Sequence, residues 1–202
     1  MAQINTADKE ISVKIVYYGP ALSGKTTNLL YVHQRITSKD KTDLISIATE
    51  GDRTLYFDFL PLVTDIIPGF KTCFQLYTVP GQVHYNATRK LVLQGVDGIV
   101  FVADSQWPRQ NDNVESLFNL KENLSEYGLT IRDIPYVLEY NKRDLPDAAM
   151  IEYMEYLINR EEVKVPVFPA VAITGEGVFD VLNAISRMVI AKILKEINVE
   201  QK

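Results

Sequence analysis

Residues 19–26 read Gly19-Pro20-Ala21-Leu22-Ser23-Gly24-Lys25-Thr26, the spacing G-x-x-x-x-G-K-[ST]. A glycine loop of this kind points successive backbone N–H groups into one concavity, where partial positive charge collects. Lys25 can reach the β- and γ-phosphates of a nucleotide, and the Thr26 hydroxyl can hold Mg²⁺. Gly19, Ala21, Ser23, Gly24, Lys25, Thr26 and the adjoining Thr27 are therefore the candidate phosphate-binding residues, with Thr26 also a candidate metal ligand. The plain alternative is a glycine turn between a strand and a helix. All four fixed positions match and both flanks have the right character, which favours the phosphate site. A second polar group, Asn141-Lys142-Arg143-Asp144, stands directly after an apolar run. Alone it reads as a strand-end turn.

These groups need a scaffold that brings them together. Ile11 to Tyr18, rich in β-branched and aromatic residues, predicts a strand before the loop, and Lys25 to about Ile36 predicts a helix after it. Residues 37–43 are polar and without period, and residues 44–54 carry no clear assignment. Leu55 to Val63 and Phe70 to Thr78 are strand-like, and the Pro68-Gly69 turn between them predicts an antiparallel pair. A helix is expected from about Tyr85 to Leu93. Gly98 to Asp104 is apolar on both parities, which marks a central strand covered on both faces. A helix from about Asn113 to Tyr127, a strand from Pro135 to Tyr140, a helix from Ala148 to Asn159 and a strand from Val165 to Ala172 follow. A last helix carries Val178, Leu182, Ile185 and Val189 on one stripe. Such alternation predicts one doubly wound α/β domain over residues 1–202. It would have a mostly parallel sheet, one antiparallel edge strand and helices on both faces. Ligands in such folds bind outside the carboxyl ends of the strands, where all these loops lie.

With N-K-x-D well over a hundred residues after the phosphate loop, the chain resembles the Ras-like GTPases. In that family the aspartate accepts two hydrogen bonds from the guanine N1–H and 2-amino group, so Asp144 inherits the choice of guanine. Asn141 braces the loop, the stem of Lys142 covers a base face, and the Ala172 backbone lies near the guanine oxygen. Adenine would leave the carboxylate unpaired, which a site of this kind rejects strongly. Gly81 and Gln82 resemble the second switch, with the Gly81 N–H toward the γ-phosphate and Gln82 orienting the attacking water. Thr54 resembles the first-switch threonine, a ligand of Mg²⁺ when a γ-phosphate is present. The resemblance implies GTP and GDP with Mg²⁺ as the bound species.

Glu50 to Pro61, with Tyr17-Tyr18-Gly19-Pro20, Phe70-Lys71-Thr72, Tyr77 to Gln82 and Gly95-Val96-Asp97-Gly98, is similar to the bacterial MglA proteins. This likeness runs from about Ile4 to Ile193. It implies a switch that sets cell polarity and motility, a roadblock-fold GTPase-activating partner (MglB) and effectors that grip the switch regions. It also makes Arg53 an arginine finger supplied in cis, beside Gln82 as the second catalytic residue. Two departures from ordinary Ras proteins point toward this family, Thr78 in the place of the second-switch aspartate and Arg53 beside Thr54, and a third, Ala21 where MglA proteins have glycine, departs from MglA itself. A side chain at that place crowds the γ-phosphate and the glutamine, so slow hydrolysis is expected without a partner. Three readings follow. One is a cycling GTPase. One is a GTP-bound scaffold with little turnover. The third, an unrelated P-loop kinase or ATPase, is opposed by the guanine tetrad.

Composition narrows the setting. Of 202 residues, 47% are hydrophobic and 23% charged, which suits a globular domain with a real core. A net charge of -5 argues against general nucleic-acid binding and against anionic membranes. Cys73, the single cysteine, excludes an internal disulfide, suits a reducing cytoplasm and is expected to be a buried small hydrophobe. Neither a signal pattern nor a lipidation site is evident, so the expected state is a cytoplasmic monomer without its own membrane anchor.

Overall fold

Every residue of Gly98–Asp104 is buried, the pattern expected of a strand with helices on both sides. In the computed structural model, which describes residues 3–5, 9–35, 45–47, 57–67, 69–82, 85–160 and 164–200, this is β6 of a twisted sheet. The strands are β1 (Gln3–Asn5), β2 (Glu10–Tyr18), β3 (Ile45–Ile47), β4 (Phe57–Ile67), β5 (Phe70–Thr78), β6, β7 (Tyr136–Asn141) and β8 (Val167–Pro169). Their order is β3-β4-β5-β2-β6-β7-β8, and β1 lies antiparallel along the start of β2. From β5 to β8 all pairings are parallel. β4 returns antiparallel on β5, and the short β3 pairs antiparallel with β4.

Among the described residues five α-helices complete the fold: α1 (Lys25–Arg35), α2 (Asn86–Leu93), α3 (Gln110–Ser125), α4 (Ile151–Ile158) and α5 (Val178–Glu200). Strand alternation assigns them to faces. Val100 and Val102 of β6 join Leu29 and Val32 of α1 and the stripe Val178, Val181, Leu182, Ile185 and Val189 of α5. Ile99, Phe101 and Ala103 join Val92 and Leu93 of α2, Leu117, Leu120 and Leu124 of α3, and Met154 and Ile158 of α4. Each buried Leu, Ile or Val contributes about 1.5–3 kcal/mol, so the two clusters clamp the sheet and hold its carboxyl ends in register.

Several boundaries differ from expectation, each for a local reason. α3 begins at Gln110, directly after a tight turn at Trp107–Arg109, and not at Asn113. Asn113 is already inside the helix, where its side chain bonds both the N–H and the carbonyl of Asp104. α4 starts only at Ile151, because Met150 before it is extended, with ψ 141°. β8 is three residues long, since beyond Pro169 the chain turns into a bridge between Val171 and Glu176. Cys73 is half-buried, not buried: β5 alternates, and Cys73 falls on its partly exposed parity, where burial pushes the thiol pKa up. β3 falls in the stretch that the sequence left without assignment. Pro68, Arg53, Thr54 and His84 lie outside the described residues.

One polar residue sits where the α1 face should be apolar. Glu139 of β7 is completely buried, and its Oε1 accepts from Asn28 Nδ2 of α1 at 2.7 Å. Its Oε2 and the Tyr17 hydroxyl are buried without a hydrogen-bond partner among the described residues. Burial pushes the Glu139 carboxyl up to about 7, with the Asn28 hydrogen bond opposing. The folded state therefore holds this proton more tightly than the unfolded chain does. The stabilisation is complete below the unfolded value near 4.5 and is lost as pH rises through about 7. A rise of that size corresponds to about 3 kcal/mol. Urea unfolding at fixed GDP between pH 5 and pH 8 should show this loss in the wild type. Glu139→Gln should flatten the profile; an unchanged slope in the variant would contradict the assignment.

Candidate functional site

β2 ends at Tyr18 and α1 begins at Lys25, so the connecting loop sits at the carboxyl edge of the sheet. The first turn of α1 carries no acidic residue, which leaves its positive end available to an anion. Lys25 is buried and folds over the loop, donating from Nζ to the Pro20 carbonyl at 2.6 Å and the Gly19 carbonyl at 3.1 Å. Leu22 is left-handed at φ 64°, a conformation that costs a non-glycine residue about 1–2 kcal/mol. Its side chain is exposed. Ser23 points inward, buried, its Oγ without a partner among the described residues, so it serves the site through its backbone.

A cleft of about 710 Å³ opens beside this loop, and its lining includes Ala21, Gly24, Lys25, Thr26, Thr27, Thr78, Gly81 and Gln82. Five of the seven expected phosphate residues and the second-switch pair therefore share one cavity, while Gly19 and Ser23 are not among its lining. Gly81 rests directly on the loop: a Cβ there would run into the backbone of Pro20 and Ala21. Thr78 is buried at the end of β5, where Val79 N–H bonds the Tyr17 carbonyl.

A second cavity of about 240 Å³ adjoins the first, sharing Leu22, Gly24 and Thr27 with it and adding Asn141, Lys142, Asp144, Ala172 and Ile173. Asn141, the last residue of β7, is the joint between the halves. Its Nδ2 donates to the Ser23 carbonyl at 2.7 Å, and its Oδ1 accepts from the Ala172 N–H at 2.9 Å. Gly24 makes this approach possible, because it stands at φ 104° and a Cβ there would overlap the Asn141 amide. Asp144 is exposed at the cavity rim, so it would lose water only against a bound base. Arg53 and Thr54 are outside the described residues, and among those described no cluster of His, Cys, Asp and Glu suits a metal.

Two residues absent from the sequence reading belong to this edge. Asp104, the fully buried end of β6, accepts from Lys142 Nζ at 2.6 Å. Arg109, in the turn before α3, bonds the Ala21 carbonyl from Nη2 at 2.8 Å and pairs with Asp112 at 2.6 Å. Asp104 carried a signal, a carboxylate at the carboxyl end of the central strand. Arg109 carried none, because its contact spans 88 residues.

The model of the ADP-ribosylation factor family matches residues 1–189. The mutual gliding-motility protein MglA of Myxococcus xanthus is 55% identical over 195 residues, which cover 96% of this chain and 99% of that protein. GTPase Obg of Bacillus velezensis is 34% identical over 84 residues, 42% of this chain but 19% of that protein. GTPase Obg of Anoxybacillus flavithermus matches in the same way, 31% identical over 88 residues. The chain thus belongs to the ADP-ribosylation factor family and is a small GTPase of the MglA type.

Proposed function

We propose that the protein is a GTP/GDP switch that controls cell polarity and motility, with hydrolysis slow until a partner assists. The observation that carries this reading is the Asn141 amide, which ties the Ser23 carbonyl of the phosphate loop to the Ala172 N–H of the base cavity. A site so joined suits one ligand with a phosphate chain and a base. Lys25 and the backbone N–H groups of Gly19, Ala21, Ser23, Gly24, Thr26 and Thr27 bind the phosphates. Asp144 selects guanine, Lys142 covers a base face, and Ala172 faces the guanine oxygen. Gln82 orients the attacking water, Gly81 contacts the γ-phosphate, and Arg53 supplies charge in cis.

The donor set also suits Mg²⁺, which takes oxygen ligands and keeps several waters, so one or two protein oxygens suffice. Thr26 on the cleft wall is such a ligand, and Thr54 is the proposed second. When bound, the ion neutralises phosphate charge. Thr78 in place of an acidic residue leaves its outer shell weaker. The MglA likeness supports a roadblock-fold activating partner and effectors that read the switches. It also supports a cytoplasmic domain delivered to a pole by those partners. A scaffold that stays loaded with GTP is the second reading, favoured by Ala21 and Thr78 lining the same cleft.

Denaturing the purified protein and identifying the released nucleotide tests both readings. GDP supports a cycling switch, GTP the loaded scaffold, and an adenine nucleotide would overturn the role of Asp144. Asp144→Asn should weaken GDP binding about 10²-fold or more and favour xanthosine diphosphate, whose 2-oxo group accepts where guanine donates. Unchanged GDP affinity would contradict the role of Asp144. Ala21→Gly should raise the single-turnover rate about tenfold, because small displacements of reacting groups are costly. Equal rates would remove Ala21 as the brake.

A further inference from the structure

The Ala21 carbonyl is held by a side chain from another part of the chain. Arg109 donates to it from Nη2 at 2.8 Å. The rest of the guanidinium is engaged as well. Nη1 lies 2.6 Å from Asp112 Oδ2, and Nε lies 3.8 Å from Asp104 Oδ2. That same Asp104 oxygen receives Lys142 Nζ at 2.6 Å. Two cations and two carboxylates alternate from the base loop to the phosphate loop. An arginine that served only as the i,i+3 partner of Asp112 would need neither of the other contacts.

What Arg109 grips is the peptide least able to hold itself. The Ala21 carbonyl and the Leu22 N–H belong to one planar trans peptide unit, so fixing the oxygen fixes the opposite direction of the N–H. Leu22 is the non-glycine residue of this loop at positive φ, and such a conformation persists only where surrounding contacts over-determine it. Gly81 rests on the adjoining Pro20–Ala21 peptide and on the Ala21 Cα, the atom that joins it to the peptide Arg109 holds, with no room for a Cβ. A pocket of about 380 Å³ records the juxtaposition, with Ala21, Gly81, Gln82 and Arg109 among its walls.

We propose that Arg109 is a positioning residue for GTP hydrolysis: by holding the Ala21 carbonyl it fixes the surface on which Gly81 rests and so the placement of Gln82. The inference rests on the reading of Gln82 as the residue that orients water. It places the control of turnover partly at the start of α3, outside both switches and the phosphate loop. The fork matters here, because a guanidinium can donate to the Ala21 carbonyl from one nitrogen while another pairs with Asp112, whereas an ammonium is a point charge.

The test compares Arg109→Ala, Arg109→Lys and Gln82→Ala by single-turnover GTP hydrolysis, GDP affinity and melting temperature. Arg109→Ala should lower the hydrolysis rate about tenfold with GDP affinity changed less than about twofold. Arg109→Lys, which keeps the charge, should fall between it and the wild type, and it carries the test should Arg109→Ala not fold. Wild-type rates in the Arg109 variants would overturn the proposal. So would equal losses of rate and affinity, which would mark a merely structural role. If Gln82→Ala hydrolyses normally while the Arg109 variants are slow, the reading of Gln82 fails and the hold on the loop stands.

Discussion

The site depends on one side-chain amide. Asn141 stands at the carboxyl end of β7 and satisfies two backbone groups that belong to distant segments, the Ser23 carbonyl and the Ala172 N–H. A buried backbone group left unpaired costs about 1–3 kcal/mol, so the bridge holds three loops in a single arrangement. An amide suits this, since it presents a donor and an acceptor side by side. The neighbouring constraints follow from it. Gly24 must lack a Cβ because the amide occupies that space. Asn28, one turn into α1, donates to the Gly24 carbonyl and to Glu139, which ties the loop down to the centre of the sheet.

The sheet makes the bridge possible by putting its parts at one edge. β2, β6, β7 and β8 run parallel, so the loops after them emerge together. Their apolar alternation places α1 and α5 on one face and α2, α3 and α4 on the other, and no single strand can slip without exposing a cluster. At that edge charge is arranged in a chain, with Lys142, Asp104, Arg109 and Asp112 alternating in sign. Asp104 is fully buried and would be costly there without its cations. The phosphate loop is thus gripped from the base side by Asn141 and from the α3 side by Arg109.

Much of this was legible in the sequence because the signals were local. Both glycines of the loop, the lysine after them and the tetrad at residues 141–144 are short motifs whose flanking strands are strongly apolar. The two-faced burial of β6 was readable from its unbroken apolar run. What was not legible depended on contacts distant in sequence. Arg109 meets Ala21 across 88 residues, and no local pattern announces that. Asn28 and Glu139 meet across 111 residues, and each looks like an ordinary polar residue in its own element. The start of α4 moved because Met150 is extended, and β8 ends early because the chain beyond it turns into the Val171–Glu176 bridge. The face of Cys73 depended on the parity of β5, which an apolar run alone does not reveal.

The most direct measurement is the GDP affinity of Asn141→Ala, taken with the thermal stability of the nucleotide-free protein. Removing the amide leaves the Ser23 carbonyl and the Ala172 N–H without their partner. The predicted result is a loss of GDP affinity of about 10²-fold or more, with a melting temperature lower by several degrees in a variant that still folds. Wild-type affinity in a folded variant would contradict the claim that this bridge holds the two halves of the site together.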